Sequence, residues 1–229
     1  MLNNKIRTIL ASAEETGWVL EPEAKHLLVL AGLKIPRFIL ATTPEEALQF
    51  AAEIGYPLAA KVVSPKILHK SDVAGVAVGI ESDEILEAAF HRFSALDGFS
   101  GMLVEEMVAG LELIIGAKID YQFGPVILLG MGGTGVEIYK DATMRMAPLK
   151  ETDVRSMISG LRAHQLLEGF RGRPPIGMEA LTRTLLDFSD LVMEVSDRIE
   201  SADLNPVMCT ADACIVADAR ILLQNKDKG

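Results

Sequence analysis

The hydrophobic pattern follows the helical period in four segments of the first hundred residues. Apolar positions recur every three or four residues there, which predicts amphipathic helices over residues 4–15, 21–32, 43–55 and 82–96. Two of these segments carry helix boundary signals. Pro22 suits a first helical turn and Gly32 a stop, while Thr43 and Gly55 fit the N-cap and the C-cap of the third helix.

Strand patterns lie between and after these helices. Short apolar or alternating runs predict strands over residues 35–41, 56–63, 75–80, 101–108, 111–120, 124–130, 136–140, 202–209 and 213–223. Two further helices are predicted over residues 150–161 and 178–195. Strands linked by hairpin-length connections in the centre of the chain indicate an α+β fold with antiparallel sheet, not a doubly wound parallel sheet. A composition shift near residue 100 predicts a seam between two subdomains.

Composition then narrows the function classes. The 229 residues carry a formal net charge of −10 with a pI near 4.9, which argues against binding to a nucleic-acid backbone. A local cationic pocket for a phosphate stays compatible with this charge. No run approaches the roughly 18 apolar residues of a membrane span, and the N-terminus lacks the pattern of a signal peptide. We therefore expect a cytoplasmic protein that binds neither membrane nor nucleic acid.

The two cysteines, Cys209 and Cys214, flank a short turn. A hairpin there would place them opposite each other, and a cross-strand disulfide is one alternative. Nothing in the sequence points to export, so two reduced, buried thiols are the expected state.

The glycine-rich segment GMGGTG matches the dinucleotide fingerprint G-x-G-x-x-G through Gly130, Gly132 and Gly135. The residues that follow, VEIYK, alternate as a strand does, so no helix opens to receive a pyrophosphate. The segment is therefore predicted to be a tight turn between strands. Its alternative role is to let backbone approach a ligand closely.

Several charged residues stand in apolar surroundings. Lys61 in LAAKVV is either an edge or snorkelling lysine or a fixed cation for a phosphate. Glu105, Glu106 and Glu112 are either solvent-facing or lie at a crossing of two strands. In the second case, unpaired backbone groups at the crossing would pair with an adenine edge, and Glu112 would accept hydrogen bonds from ribose hydroxyls.

Three oxygen-bearing residues fall on neighbouring predicted strands near the C-terminus. Asp203 and Asn205 are two positions apart and share a face, and Asp218 lies on the next strand. Hard oxygen ligands of this kind suit Mg²⁺, which also binds phosphate oxygens. The alternative is that these residues only form turns.

His69 follows a Ser-Pro break and precedes Lys70, Ser71 and Asp72. A lone histidine is most often a structural or surface residue. On an exposed loop, however, a neutral imidazole can act as a nucleophile, with Asp72 or a backbone carbonyl fixing its tautomer.

Five ordered segments resemble a known family. They are LEPEAKHLLVLAGLKIP, YPLAAKVVSPKILHKSDVAGV, LVEEMVAGLELIIGAKIDYQFGPVILLGMGGTGVEIYKDATMRMAPL, LLEGFRGRPP and the pair ADLNPVM and VADARI. Together they closely resemble the nucleotide-binding part of ADP-forming acyl-CoA synthetases, which include the acetyl-CoA synthetase beta subunit and are related to succinyl-CoA synthetase. One departure is Ala74, which stands where the family commonly has a glycine.

The resemblance implies an ATP-grasp fold, in which two α+β subdomains with antiparallel sheets grip the nucleotide. Residues 1–19 would form an N-terminal helix, and residues 20–229 the ATP-grasp domain. Within that domain, a smaller subdomain is expected over about 20–100 and a larger one over about 101–225.

The resemblance also implies roles for individual residues. Lys61 would hold the phosphates of ATP or ADP, and Glu112 would meet the ribose. His69 would carry the phosphoryl group, and Arg145 would lie near the phosphates. The adenine would be read by Glu105, Glu106, Met107 and Val108. Magnesium would be bound by Asp203, Asn205 and Asp218.

The implied reaction is acyl-CoA + ADP + phosphate ⇌ acid + CoA + ATP, catalysed by an acid–thiol ligase. Because this chain shows no CoA-binding pattern, the resemblance implies a separate CoA-binding alpha subunit in an α₂β₂ assembly. That subunit would form the first phosphohistidine from an acyl phosphate. Three other readings stay open: a carboxylate–amine ligase that does not need His69, a nucleotide-sensing regulatory module, and a purely structural subunit.

Overall fold

The structure, a computed structural model, describes residues 4–133 and 141–224. The predicted strand 136–140 and Gly135 of the glycine-rich segment lie outside these residues. No helix among the described residues combines the length and the apolar character that a membrane span requires.

The helices form where the apolar period predicts them. In the described residues they are α1 Asn4–Ser12, α2 Glu21–Leu30, α3 Pro44–Ile54, α4 Asp83–Ser94, α5 Glu151–Gly160 and α6 Met178–Val195. The boundary signals are also confirmed. The Thr43 hydroxyl accepts a hydrogen bond from the Glu46 amide at 3.3 Å, and Gly55 ends α3 with φ of 81°. Gly32 follows α2 with φ of 90°, a conformation that favours glycine.

The strands of the described residues form two sheets. Their bounds are β1 Trp18–Val19, β2 Phe38–Ala41, β3 Leu58–Val63, β4 Val76–Ile80, β5 Gly101–Glu106, β6 Leu111–Asp120, β7 Gly124–Met131, β8 Ala142–Met146, β9 Ile199–Cys209, β10 Cys214–Val216 and β11 Ala219–Leu223. All pairings between these strands are antiparallel, as the α+β prediction requires.

The first compact unit comprises residues 1–35 and 109–229. Its sheet has the order β1-β11-β9-β6-β7-β8, and β10 continues along the same edge of β9 as β11. The helices of this unit cover one face of the sheet. Inward-facing strand residues such as Leu113, Leu129 and Leu204 pack there against Leu28 of α2 and Phe188 of α6. The other face of this sheet, which we call the helix-free face, carries the polar residues of β6, β9 and β11.

The second unit comprises residues 36–108 and has its own core. Its four-stranded sheet has the order β2-β5-β3-β4. Helices α3 and α4 cover one face, where Ala51 and Phe93 pack against Leu58, Val62 and Val104 of the strands. Lys61 and Glu105 alternate with these core residues and therefore lie on the helix-free face of the small sheet.

This division differs from the expected subdomain boundaries. Residues 20–35 belong to the first unit, because Val216 donates a backbone hydrogen bond to the Lys34 carbonyl at 2.8 Å and α2 packs in the core of the large sheet. Strand β5 belongs to the second unit, because it pairs with both β2 and β3. The N-terminal helix likewise does not stand apart, since Ile6 and Leu10 are buried in the first unit's core.

The expectation of two reduced thiols is wrong for this structure. Cys209 and Cys214 form a disulfide, with 4.2 Å between their Cα atoms. The turn between β9 and β10 places the two residues directly opposite each other in the antiparallel register. Close cross-strand pairing, which the sequence indicated only as an alternative, brings the sulfurs together.

Candidate functional site

The helix-free face of the large sheet brings together the three expected metal ligands. Asp203 and Asn205 alternate with the buried Leu204 on β9, so both point to this face. Asp218 precedes β11, whose residue Arg220 pairs across the sheet with Asp203. The structure thus confirms that β9 and β11 are neighbours and that Asp203 and Asn205 share one side of the sheet.

Backbone hydrogen bonds tie the Asn205 segment to the Asp218 segment. The Asn205 amide donates to the Asp218 carbonyl at 3.2 Å, and the Ala217 amide donates to the Pro206 carbonyl at 3.0 Å. These two bonds join β9 to the segment between β10 and β11, where regular strand pairing is interrupted. They hold the backbones of the two candidate ligands at a fixed separation.

Arg220 is a residue of this site that the sequence analysis missed. Its guanidinium lies 3.4 Å from the Asp203 carboxylate. Burial raises the pKa of Asp203, and the nearby charge of Arg220 opposes that rise. The available signal was its spacing: on the predicted strand 213–223, Arg220 follows Asp218 by two positions and would therefore share its face.

The donor set fits magnesium rather than a metal that needs a complete protein cage. The described residues contain no group of three or more histidine, cysteine, aspartate or glutamate side chains arranged to hold a metal. Magnesium commonly takes only one or two carboxylates and completes its shell with water and phosphate oxygens. Two carboxylates and one amide on a common face meet that requirement.

Glu112 lies on the same face, at the start of β6, and is exposed. The glycine-rich turn packs directly on its backbone, since the Gly132 amide donates to the Glu112 carbonyl at 2.7 Å. A Cβ atom added to Gly132 would lie 2.7 Å from the Glu112 carbonyl carbon, so only glycine fits there. The turn therefore packs closely on the protein backbone at Glu112, while its approach to a ligand stays a prediction.

Arg145 is not brought together with these residues. It lies on β8 between Met144 and Met146, and its guanidinium donates to the Ser156 hydroxyl of α5. Met144 pairs with Leu128, which lies on the helix-free face, so Arg145 lies on the opposite, helix-covered side. This placement differs from the expected position near the phosphates, because the strand alternation turns the side chain away.

Next to Asp203, the helix-free face forms an apolar hollow of about 530 Å³. Gly116 pairs with both Asp203 and Leu128, so it forms a floor without a side chain between them. The apolar lining comes from Ile114, Val126, Leu128 and Met144. An apolar surface beside hard oxygen donors matches the chemistry of a ligand with a flat apolar part and a charged part.

In the second unit, Lys61 lies in the central strand β3 and is buried. Its ammonium forms an ion pair with the Glu105 carboxylate of β5 at 2.8 Å. The interpretation of Lys61 as an edge or snorkelling lysine is therefore wrong. A buried cation held by a close carboxylate is positioned before any ligand binds.

The residues after Glu105 differ in their surroundings. Glu106 accepts hydrogen bonds from the Arg37 amide at 3.0 Å and from its guanidinium at 2.8 Å. Burial opposes ionisation of Glu106, but these bonds and the Arg37 charge together lower its pKa. Met107 is exposed, and its sulfur accepts a hydrogen bond from the Gly79 amide at 3.0 Å. Among the described residues, the backbone N–H groups of Met107 and Val108 have no acceptor.

His69 is exposed on the connection between β3 and β4. It directly precedes a short 3₁₀ helix, Lys70–Val73, and its carbonyl accepts the Asp72 amide at 3.3 Å. Ala74 ends this turn in the left-handed conformation, with φ of 52°. The structure thus places His69 on a short structured loop that returns the chain to the sheet carrying Lys61.

Comparisons with known proteins identify the fold. Residues 10–223 match the family model described as ATP-grasp domain. The chain is 38% identical over 228 residues to the "Acetate--CoA ligase [ADP-forming] I subunit beta" of Pyrococcus furiosus, covering 96% of this chain and 98% of that relative. The chain belongs to the ATP-grasp family of ADP-forming acetate–CoA ligase beta subunits. The expected ATP-grasp fold and the family resemblance are confirmed.

Two further members of the ATP-grasp family add context. An acetyl-coenzyme A synthetase of Ca. Korarchaeum cryptofilum, in complex with coenzyme A and Mg-AMPPCP, superposes with a TM-score of 0.83 at 39% identity. The match covers 96% of this chain and 100% of that one, which is described with a "phosphohistidine segment pointing towards nucleotide binding site". The "Acetate--CoA ligase [ADP-forming] I" of Archaeoglobus fulgidus is 37% identical over 92% of this chain, which spans 32% of that longer relative.

Proposed function

We propose that this chain is the nucleotide-binding subunit of an ADP-forming acyl-CoA synthetase. It would transfer a phosphoryl group between His69 and ADP in the reaction acyl-CoA + ADP + phosphate ⇌ acid + CoA + ATP. The observation that carries the proposal is the exposed His69 on the loop that follows the strand of the buried Lys61. The phosphohistidine segment named for a relative of 39% identity supports it.

The proposed chemistry balances in four steps. Phosphate attacks the thioester, so a C–O bond forms, the C–S bond breaks and CoA leaves as the thiol. A histidine nitrogen of the partner then attacks the phosphorus of the acyl phosphate, and the carboxylate leaves. A nitrogen of His69 next attacks that phosphorus, and the N–P bond to the partner's histidine breaks. Finally a terminal oxygen of the ADP β-phosphate attacks the phosphohistidine, the N–P bond breaks and the imidazole regains its neutral form. The last step, at His69, is the one assigned to this chain.

Several residues are proposed to bind the nucleotide. Lys61 would keep its ion pair with Glu105 and also donate to phosphate oxygens, because an ammonium has three donors. The backbone N–H groups of Met107 and Val108 would pair with the adenine edge. Glu112 would accept hydrogen bonds from the ribose hydroxyls. Glu106, held by Arg37, is proposed to fix the strand end rather than to contact the base.

Magnesium is proposed to be held by Asp203, Asn205 and Asp218, where it would neutralise the charge of the phosphates. Arg220 is proposed as the cation of this site in place of Arg145, since it shares the face with Asp203. Asp203 would exchange its contact with Arg220 for the metal, and the guanidinium would then be available to a phosphate oxygen. Positioning and charge neutralisation, rather than acid–base chemistry, are the main demands of phosphoryl transfer.

A separate CoA-binding alpha subunit is proposed as the partner, in an α₂β₂ assembly. Support comes from two kinds of relatives. One has the length of this chain and is named a beta subunit, and another carries the same region within a chain about three times as long. The thioester and the first phosphorylated histidine would belong to the partner, so His69 would carry phosphate from it to ADP.

The function is tested by assaying the reconstituted complex for ATP formation from acetyl-CoA, ADP and phosphate. We expect ATP formation that His69→Asn abolishes, while ADP binding by the isolated chain is unchanged. His91→Asn, which changes an exposed histidine on α4, is the matched control and should keep full turnover.

Each alternative function predicts a different outcome of this assay. Full turnover of His69→Asn with an amine acceptor would instead support a carboxylate–amine ligase. Nucleotide binding without any transfer would support a regulatory module, and the absence of nucleotide binding would support a structural subunit.

A further inference from the structure

Lys25 is a fully buried lysine whose position the proposed reaction does not explain. It lies in the middle of α2, and its residue surface is 0% exposed. Lysine is almost never fully buried unless its ammonium is paired, because removing the charge from water is costly. One acidic partner is Glu21, one turn earlier on the same helix, with 3.6 Å between ammonium and carboxylate.

The Lys25 ammonium also contacts a backbone carbonyl far along the chain. It donates a hydrogen bond to the Ala217 carbonyl at 2.8 Å. That carbonyl belongs to the peptide group that joins Ala217 to Asp218. Lys25 therefore fixes the peptide plane immediately before a candidate magnesium ligand.

The same peptide segment is already tied to the other candidate ligand. The Ala217 amide donates to Pro206, and Asn205 donates to the Asp218 carbonyl. These two bonds lie in the segment between β10 and β11, where regular strand pairing is interrupted. The charged hydrogen bond from Lys25 adds a strong restraint from the opposite, helix-covered side of the sheet.

We infer that Lys25 is a positioning residue for the metal site: it holds the Ala217–Asp218 peptide so that Asp218 and Asn205 meet one magnesium ion. This inference rests on the proposed function, because it takes Asn205 and Asp218 as the ligands. Buried charges contribute little to stability compared with apolar residues of the same size, so a positioning role accounts for the buried charge better than stability does. Partners of metal ligands typically change metal affinity 10–100-fold when they are removed.

The test measures Mn²⁺ affinity by electron paramagnetic resonance in the full chain saturated with ADP, next to ADP affinity in the presence of EDTA. We expect Lys25→Met to weaken Mn²⁺ binding at least about 10-fold and to leave metal-free ADP affinity within about twofold. A residue that only supports the fold would lower both affinities together or neither.

Two further variants keep the result interpretable. The double variant Glu21→Gln/Lys25→Met also removes the charge of the carboxylate that pairs with Lys25, so it should fold where the single variant does not, and it should show the same loss of Mn²⁺ affinity. Ser189→Ala removes another buried side chain of this unit that hydrogen-bonds to backbone, the Leu149 amide at 2.8 Å, and should bind Mn²⁺ as the wild type does.

The outcomes separate the two claims. If the folded single or double variant binds Mn²⁺ as tightly as the wild type, the inference about Lys25 is overturned and the proposed function stands. If the wild-type chain binds ADP but no Mn²⁺, the proposed metal site and the inference both fall.

Discussion

Ala74 occupies a backbone conformation that costs free energy for any residue with a Cβ atom. Its φ of 52° lies in the left-handed region, which costs a non-glycine residue about 1–2 kcal/mol. Ala74→Gly should therefore raise the free energy of unfolding by about 0.5 kcal/mol, after the larger entropy of glycine in the unfolded chain is subtracted.

Denaturant titration with a matched variant checks this expectation. Ala95→Gly makes the same change at another exposed position, where φ is −84°, and should lower the free energy of unfolding by about 0.5–1 kcal/mol. Opposite signs for the two variants are the expected result. A loss of stability in both would contradict the assignment of strain to the turn that follows His69.

Glu106 should make stability depend on acid pH. Its pKa is lowered in the folded state, so it contributes stability above the ordinary value of 4.5 and loses that contribution as pH falls through the lowered pKa. Because its partner Arg37 is largely exposed, Glu106→Gln should cost only about 0.5 kcal/mol at pH 7.

The measurement is the difference in unfolding free energy between wild type and Glu106→Gln across pH 7 to 3. We expect the difference to be constant down to about pH 5 and to vanish as the wild-type carboxylate is protonated. A difference that persists at pH 3 would show that packing, not ionisation, is responsible.

For single residues, the sequence predicted which residue types form the candidate site better than it predicted the direction in which their side chains point. Asp203 and Asn205 were correctly placed on one face, because strand alternation alone fixes that relation. The same rule applied to β8 would have turned Arg145 away, but β8 itself was not predicted. Lys25 could not be recognised as a buried donor, since its acceptor lies 192 residues away in the sequence.

Among the structural elements, the β9–β10 hairpin is the one whose contribution to stability can be tested. Its disulfide closes a loop of about six residues, which corresponds to roughly 2 kcal/mol of stabilisation in the chain-entropy model. Dithiothreitol should therefore lower the free energy of unfolding by about that amount, and Cys209→Ala/Cys214→Ala should remove the sensitivity to the reductant.

Thiol alkylation of the unreduced, denatured chain gives the direct readout. Mass spectrometry should find no alkylated cysteine before reduction and two afterwards. Two modified cysteines before reduction would restore the interpretation of free, buried thiols.

Helices were predicted with better bounds than strands, for a physical reason. Caps such as Thr43 and Gly55 mark helix ends within the local sequence, whereas strand partners are distant. Strand β8 was missed because its residues, ATMRM, carry no run of apolar side chains and it forms by pairing with β7. The predicted strand 213–223 is two strands, β10 and β11, since the backbone at Ala217 and Asp218 bonds to Pro206 and Asn205 instead.

At the scale of the whole molecule, composition and pattern predicted the α+β class, and the family resemblance predicted the ATP-grasp fold. The division into compact units was harder to predict, because the first unit is built from two separate stretches of chain. Residues 1–35 join it through buried side chains of α1 and α2, a long-range contact that no local signal reports.

The central claim is that His69 carries the phosphoryl group. The most direct measurement incubates the chain and its CoA-binding partner with Mg²⁺ and ATP labelled at the γ-phosphate, and then maps the label on this chain by peptide mass spectrometry. We predict label on His69 that is stable in base and lost in acid, absent from His69→Asn and undiminished in His91→Asn. Bound nucleotide with no label on His69 in the complete complex would contradict the account.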